Sequence, residues 1–252
     1  MTKIDLNADL GEAFGRWRLD DAAVLDVVTS ASIACGFHAG DPRVMREMAA
    51  AARERGVAIG AHPSYPDLVG FGRRELAASP GEIEADVIYQ VGALAGVCAA
   101  GGARLRYVKP HGALYNRAAR DAAAADAIVR AVRGVDTSLT LLALAGSEMV
   151  RAAERAGVRV AREAFVDRAY RSDGTLVPRT ERGAVLSDIG TVAERALRMV
   201  RDGEVEAIDG TVLRVEPDSL CAHGDGPEAL AIVRAVRARL GTAGIEIAPF
   251  VA

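Results

Sequence analysis

Short apolar stretches alternate with longer, alanine-rich ones from end to end of the chain. The short stretches, at 4–8, 32–36, 57–61, 105–109, 139–144, 158–163 and 219–222, have the length and β-branched content of buried strands. Between them, helical periodicity predicts helices over 22–29, 42–55, 80–101, 118–132, 146–156, 188–202 and 226–240. Strand followed by helix, seven times over, implies a parallel sheet covered by helices. With no break in composition, the count favours one closed or nearly closed seven-stranded parallel α/β barrel spanning residues 1–252.

Punctuation residues support these boundaries. Asp41-Pro42 and Ser79-Pro80 each place a capping acceptor before a proline at the first helical position, and Gly226-Pro227 is a weaker version. Gly56, Gly157 and Gly241 follow helical runs as stop signals. The segment 205–215 breaks the rhythm, because Asp209-Gly210 lies between two β-rich runs and reads as an inserted hairpin. The segment 165–180 is a long polar loop after a strand end, a length usually kept for function.

Composition narrows the class. Half of the 252 residues are hydrophobic and 26% are charged, with a formal net charge of −3 and no basic block, so a nucleic-acid partner is not expected. No apolar run is expected to reach bilayer-spanning length, and the N-terminus enters a strand without a signal-peptide core. Cys35, Cys98 and Cys221 are odd in number and widely spaced, and read as reduced, buried, small apolar residues of a cytoplasmic protein.

All four histidines follow a predicted strand: His38, His62, His111 and His223. In a parallel barrel those positions converge on the rim where active sites sit, and histidine is the natural proton carrier near neutral pH. Carboxylates and amides share the rim: Asn7, Asp9 and Glu12 after the first strand, Asp41 after the second, Glu163 and Asp167 after the sixth, Asp225 after the last. Together they suggest either a divalent-metal site, with Asp9, His38 and His62 as candidate ligands, or a proton-transfer set. No compact zinc motif is present. Lys109 ends a strand beside His111, with Tyr115 one turn further on. Arg168 and Arg179 flank the long loop, and Arg73 follows a glycine turn. Gly224 and its neighbours lead into a helix whose N-terminus favours an anion, although neither a P-loop nor a Rossmann fingerprint occurs.

These residues sit in long motifs. Asp5-Leu6-Asn7-Ala8-Asp9-Leu10-Gly11-Glu12, Ala34-Cys35-Gly36-Phe37-His38-Ala39-Gly40-Asp41, Gly60-Ala61-His62-Pro63-Ser64-Tyr65-Pro66, Val108-Lys109-Pro110-His111-Gly112, Glu163-Ala164-Phe165-Val166-Asp167-Arg168 and Cys221-Ala222-His223-Gly224-Asp225 keep their order along nearly the whole chain. The sequence resembles the LamB/YcsF family, the A subunits of prokaryotic 5-oxoprolinase. The resemblance implies a barrel of the glycoside-hydrolase/deacetylase type and opening of 5-oxoproline to glutamate coupled to ATP hydrolysis. It also implies ATP with Mg²⁺ as a substrate rather than a tightly bound cofactor, and two further subunits, B and C. Asp9 with His38 or His62 would activate water or contact a metal. Lys109 with His111 would meet the phosphoryl or lactam oxygen. Glu163, Asp167 and His223 complete the catalytic candidates, with Asn7, Glu12, Asp41, Arg73, Tyr115, Arg168, Arg179, Gly224 and Asp225 as binding candidates. Two other readings use the same rim: a metal-dependent deacetylase or amidohydrolase, and a non-catalytic subunit of a larger amide hydrolase.

Overall fold

The computed structural model describes residues 2–17, 22–222 and 229–251. Six strands follow one another around a barrel: β1 (Lys3–Leu10), β2 (Ser30–Ala34), β3 (Ala58–His62), β4 (Leu105–Val108), β5 (Thr140–Leu144) and β6 (Arg159–Phe165). After an antiparallel hairpin of β7 (Glu204–Glu206) and β8 (Val212–Arg214), β9 (Ser219–Cys221) pairs in parallel with both β6 and β1 and closes the ring. The seven-stranded parallel barrel and the inserted hairpin are therefore as the sequence predicts. A two-residue strand, β10 (Glu246–Ile247), adds to the start of β1.

Among the described residues seven α-helices follow in chain order: α1 (Pro42–Glu54), α2 (Pro80–Ala100), α3 (Gly112–Ala118), α4 (Ala122–Val135), α5 (Glu148–Ala156), α6 (Ile189–Arg201) and α7 (Ala229–Thr242). Asp41 accepts from the amides of Arg43 and Val44, and Ser79 forms a reciprocal capping box with Glu82.

Several boundaries differ from the sequence reading. The helix expected over 22–29 is a single 3₁₀ turn, Val24–Asp26, because strand β2 begins by Ser30. The helix expected over 118–132 is α4, which begins only at Ala122, where Asp121 caps it by accepting from the amides of Ala123 and Ala124, and the short helix α3 precedes it. Gly241 does not stop α7, which runs to Thr242; Gly244, at φ +76°, makes the turn. Gly226-Pro227 lies outside the described residues. Helix α2 also corrects the expectation about apolar runs, because by length and composition it could cross a bilayer. One face of it, with Ile83, Val87, Val91, Leu94 and Cys98, is buried in the core between strands and helices.

The inside of the barrel is different in kind. Along β1 the outward residues Leu6, Ala8 and Leu10 join the apolar core, while Asp5, Asn7 and Asp9 alternate inward and are also buried. Ser30, Ser32, Lys109, Glu163 and Ser219 are buried polar residues of the other strands and strand ends. Gly60 leaves room for the Tyr107 ring, whose hydroxyl lies 3.1 Å from Ser32 Oγ; a Cβ at Gly60 would meet that ring at 2.2 Å. A polar column thus runs up the axis and ends at the C-terminal rim.

Candidate active site

The lower part of the column is built on β1. Asp5 Oδ1 accepts from Thr29 Oγ1 (2.7 Å) and Ser30 Oγ (2.6 Å), and its second oxygen accepts from Ser219. Burial outweighs these hydrogen bonds and raises the Asp5 carboxyl to about 6. One layer up, Asn7 donates to Ser219 Oγ (2.7 Å) and Glu163 Oε1 (3.0 Å), while Tyr115 donates to Glu163 Oε2 (2.7 Å).

Lys109 occupies the centre of the next layer. Its ammonium lies 2.8 Å from Asp9 Oδ1, 2.8 Å from Glu163 Oε1, 3.1 Å from Asn7 Oδ1 and 3.2 Å from Cys221 Sγ. Burial opposes the charge, but Asp9, Cys221 and Glu163 together outweigh it and hold the amine protonated well above the usual lysine range. An ammonium has three N–H donors, and four acceptors already surround this one. Lys109 therefore orients the carboxylates beneath the cavity that it also lines.

At the rim, three histidines and Glu12 meet, brought by the ends of β1, β2, β3 and β4. His62 donates from Nδ1 to the Lys109 carbonyl (2.7 Å), and His111 donates from Nε2 to the Phe71 carbonyl (2.9 Å). Their other nitrogens, His62 Nε2 and His111 Nδ1, are 2.9 Å apart. His38 stacks on His111 with ring centroids 3.9 Å apart, and its Nε2 is 3.4 Å from Glu12 Oε1. Desolvation pushes both His38 and His111 well below the usual histidine range, so both rings are neutral at pH 7. Gly72 makes this packing possible. Its φ is +66°, and a Cβ there would meet Ser64 Oγ at 2.2 Å, His111 Cδ2 at 2.8 Å and His38 Cβ at 2.9 Å.

Above this floor opens a cavity of about 740 Å³. Asp9, Glu12, His62, Lys109, His111 and Tyr115 reach it from below. The more exposed lining residues include Arg73, Arg120, Arg171 and Arg179 beside Glu75 and Asp173, with residues 175–180 of the long loop as one wall. The floor is anionic and the mouth cationic, as suits a small substrate bearing negative charge.

Matched against sequence families, residues 4–252 fit LamB/YcsF. The chain belongs to the LamB/YcsF family. It is 56% identical over 248 residues to the 5-oxoprolinase A subunit of Paracidovorax citrulli, covering 98% of this chain and 99% of that one. The protein of the same name from Methylococcus capsulatus is also 56% identical, over 97% of this chain and 95% of that one. The crystal structure of a lactam utilization protein from Thermus thermophilus superposes with a TM-score of 0.92 at 48% identity, covering 98% and 99% of the two chains.

Set in this LamB/YcsF barrel, the residues singled out from the sequence divide clearly. Asn7, Glu163 and His38 are fully buried beneath the cavity. Arg168 is buried, with its guanidinium donating to the carbonyls of Ala184 and Val177, and desolvation lowers it to about 10. Asp41 is a helix cap that also accepts from Gly15 N (2.9 Å); it does not line the cavity, which corrects its assignment as a binding residue. Asp167 is buried and also does not line it. His223, Gly224 and Asp225 lie outside the described residues. Of the metal candidates, His38 and His62 group with Glu12 and His111, whereas Asp9 stands alongside, engaged by Lys109. Cys221 is free and buried as expected, but it touches Lys109 and is more than a filler. Sequence reasoning misses Asp5 and Ser219 as members of the network. The signal for Asp5 is the alternation of polar and apolar positions along β1.

Proposed function

We propose that this chain is the A subunit of a 5-oxoprolinase and cleaves 5-oxo-L-proline to L-glutamate, with ATP hydrolysis driving the reaction in the cytoplasm. The observation that carries the reading is one cavity with a cationic mouth and a carboxylate, Asp9, held at its floor by Lys109 and lying 3.3 Å from His62 Nε2. A five-membered lactam is an unreactive amide that closes spontaneously, so its hydrolysis needs an external source of free energy. Phosphorylating the amide oxygen makes the ring carbon electrophilic. Water then adds to that carbon and the C–N bond breaks as nitrogen takes up a proton. The resulting acyl phosphate is hydrolysed to the carboxylate and inorganic phosphate.

Within this scheme Asp9 is the base that receives a proton from water, and Lys109 is a positioning residue that keeps Asp9 ionised and aimed. Arg73 and Arg179 are suited to the substrate carboxylate and the phosphoryl group. Mg²⁺ accompanies ATP as a substrate, and subunits B and C complete the enzyme.

The test is glutamate release from 5-oxoproline by this chain, alone and mixed with its partner subunits, with and without ATP-Mg²⁺. Glutamate formed only in the mixture and only with ATP is the expected result. A second reading, a metal-dependent hydrolase of another amide needing no nucleotide, is favoured by the cluster of Glu12 with three histidines. Turnover of an amide without ATP, abolished by a chelator, would decide for it.

A further inference from the structure

We propose that Glu12, His38, His62 and His111 bind one divalent transition-metal ion of the zinc class. The positions of the ring protons lead to it. A carbonyl oxygen only accepts, so His62 carries a proton on Nδ1, facing the Lys109 carbonyl, and His111 carries one on Nε2, facing the Phe71 carbonyl. The facing nitrogens, His62 Nε2 and His111 Nδ1, lie 2.9 Å apart in a buried site, and Asp9 Oδ2 lies 3.3 Å from the first of them. Both nitrogens face carboxylate oxygens of Glu12 or Asp9 at 3.3–3.6 Å, so a single cation held among them would meet nitrogen and oxygen donors together.

The remaining geometry fits such a cation. Glu12 Oε1 is 3.6 Å from His111 Nδ1 and 3.4 Å from His38 Nε2. One donor atom from each of the four residues lies within 4.8 Å of all the others. Tetrahedral zinc with bonds of about 2.0–2.1 Å separates its ligand atoms by about 3.3 Å, in the middle of these distances. Backbone acceptors behind His62 and His111 are the kind of outer hydrogen bond that fixes the tautomer of a metal-bound imidazole. Three imidazoles and one carboxylate select a borderline ion over Mg²⁺ or Ca²⁺, which prefer all-oxygen sites. His38 differs from the other two rings, since among the described residues its Nδ1 is buried with no hydrogen-bond partner behind it. The site does not depend on which amide is cleaved or on nucleotide coupling.

The experiment is metal retention by the full chain. Protein stripped with a chelator is loaded with Zn²⁺, dialysed against a weak competing chelator and analysed by atomic absorption. Circular dichroism checks the fold of every variant, and Co²⁺ loading reports coordination through its visible absorption. About one Zn²⁺ per chain is expected for the wild type, with a loss of affinity of at least about tenfold in His62→Ala, His111→Ala and the near-isosteric Glu12→Gln, a drop of the size that disturbing a metal site produces. A wild-type chain that retains no Zn²⁺, or folded variants that retain as much as the wild type, would overturn the proposal. So would a nitrogen NMR spectrum showing one proton shared between His62 and His111 in protein exposed to Zn²⁺.

Discussion

The ammonium of Lys109 and the carboxylate of Asp9, 100 residues apart in the chain, meet at 2.8 Å on the barrel axis. Glu163 faces the same ammonium at 2.8 Å, so one cation separates two buried carboxylates. Lys109→Met removes that cation and leaves both stranded. Breaking a buried ion pair from one side costs about 3–5 kcal/mol, and a loss of that size is expected in urea denaturation together with loss of 5-oxoproline cleavage. An unchanged midpoint would show that the carboxylates do not need the lysine.

Tyr115→Phe tests the other side of Glu163. The phenol is buried and donates to Glu163 Oε2 at 2.7 Å. Losing a hydrogen bond to a charged acceptor should lower stability by about 1.5–3 kcal/mol without opening a cavity of note. Thermal denaturation of the variant beside the wild type measures it.

Asp5 predicts a pH dependence. Its carboxyl lies at about 6 in the folded chain, against 3.8 as the ordinary value, with burial as the main cause. The folded state therefore holds the proton more tightly than the unfolded one. The contribution of Asp5 is fully present below about pH 4 and is lost as pH rises through about 6, a change of about 3 kcal/mol. Asp5→Asn keeps a side-chain acceptor for Thr29 and Ser30 and has no charge to develop. Its stability relative to wild type should rise between about pH 4 and pH 7 in urea titrations, and a flat difference would remove Asp5 as the cause.

Gly72→Ala should be poorly tolerated for two reasons that act together. The left-handed backbone strains any side chain, and the added methyl group would press on Ser64, His38 and His111. Strain of this kind costs about 1–3 kcal/mol, visible as a lower melting temperature. Activity should fall further than stability, because two of the three displaced residues are rim histidines.

Arg179→Ala addresses the mouth of the cavity. The side chain is only half-buried, so stability should change by less than about 0.5 kcal/mol. In the assembled enzyme the KM for 5-oxoproline should rise about tenfold, equivalent to about 1.4 kcal/mol of lost binding. A normal KM with a lowered kcat would place Arg179 on the phosphoryl group instead.

The sequence by itself determined the strand–helix rhythm, the seven-strand count and the hairpin, because burial on both faces of a parallel strand and on one face of a helix writes a local periodic pattern. It also placed His38, His62 and His111 at strand ends, since a strand and the turn after it are adjacent in the chain. Only the tertiary structure decided which of these residues meet. Barrel closure brings β9 against β1, so Ser219 and Cys221 join Asp5, Asn7 and Lys109 across more than 100 residues of chain. Closure also crowds four acceptors around Lys109, which no local pattern shows. Asp41 lies at a strand end like the others, yet its carboxylate serves the helix beside it. The local pattern records which face of an element is buried, whereas the partner of a buried polar group is set by the ring of strands as a whole.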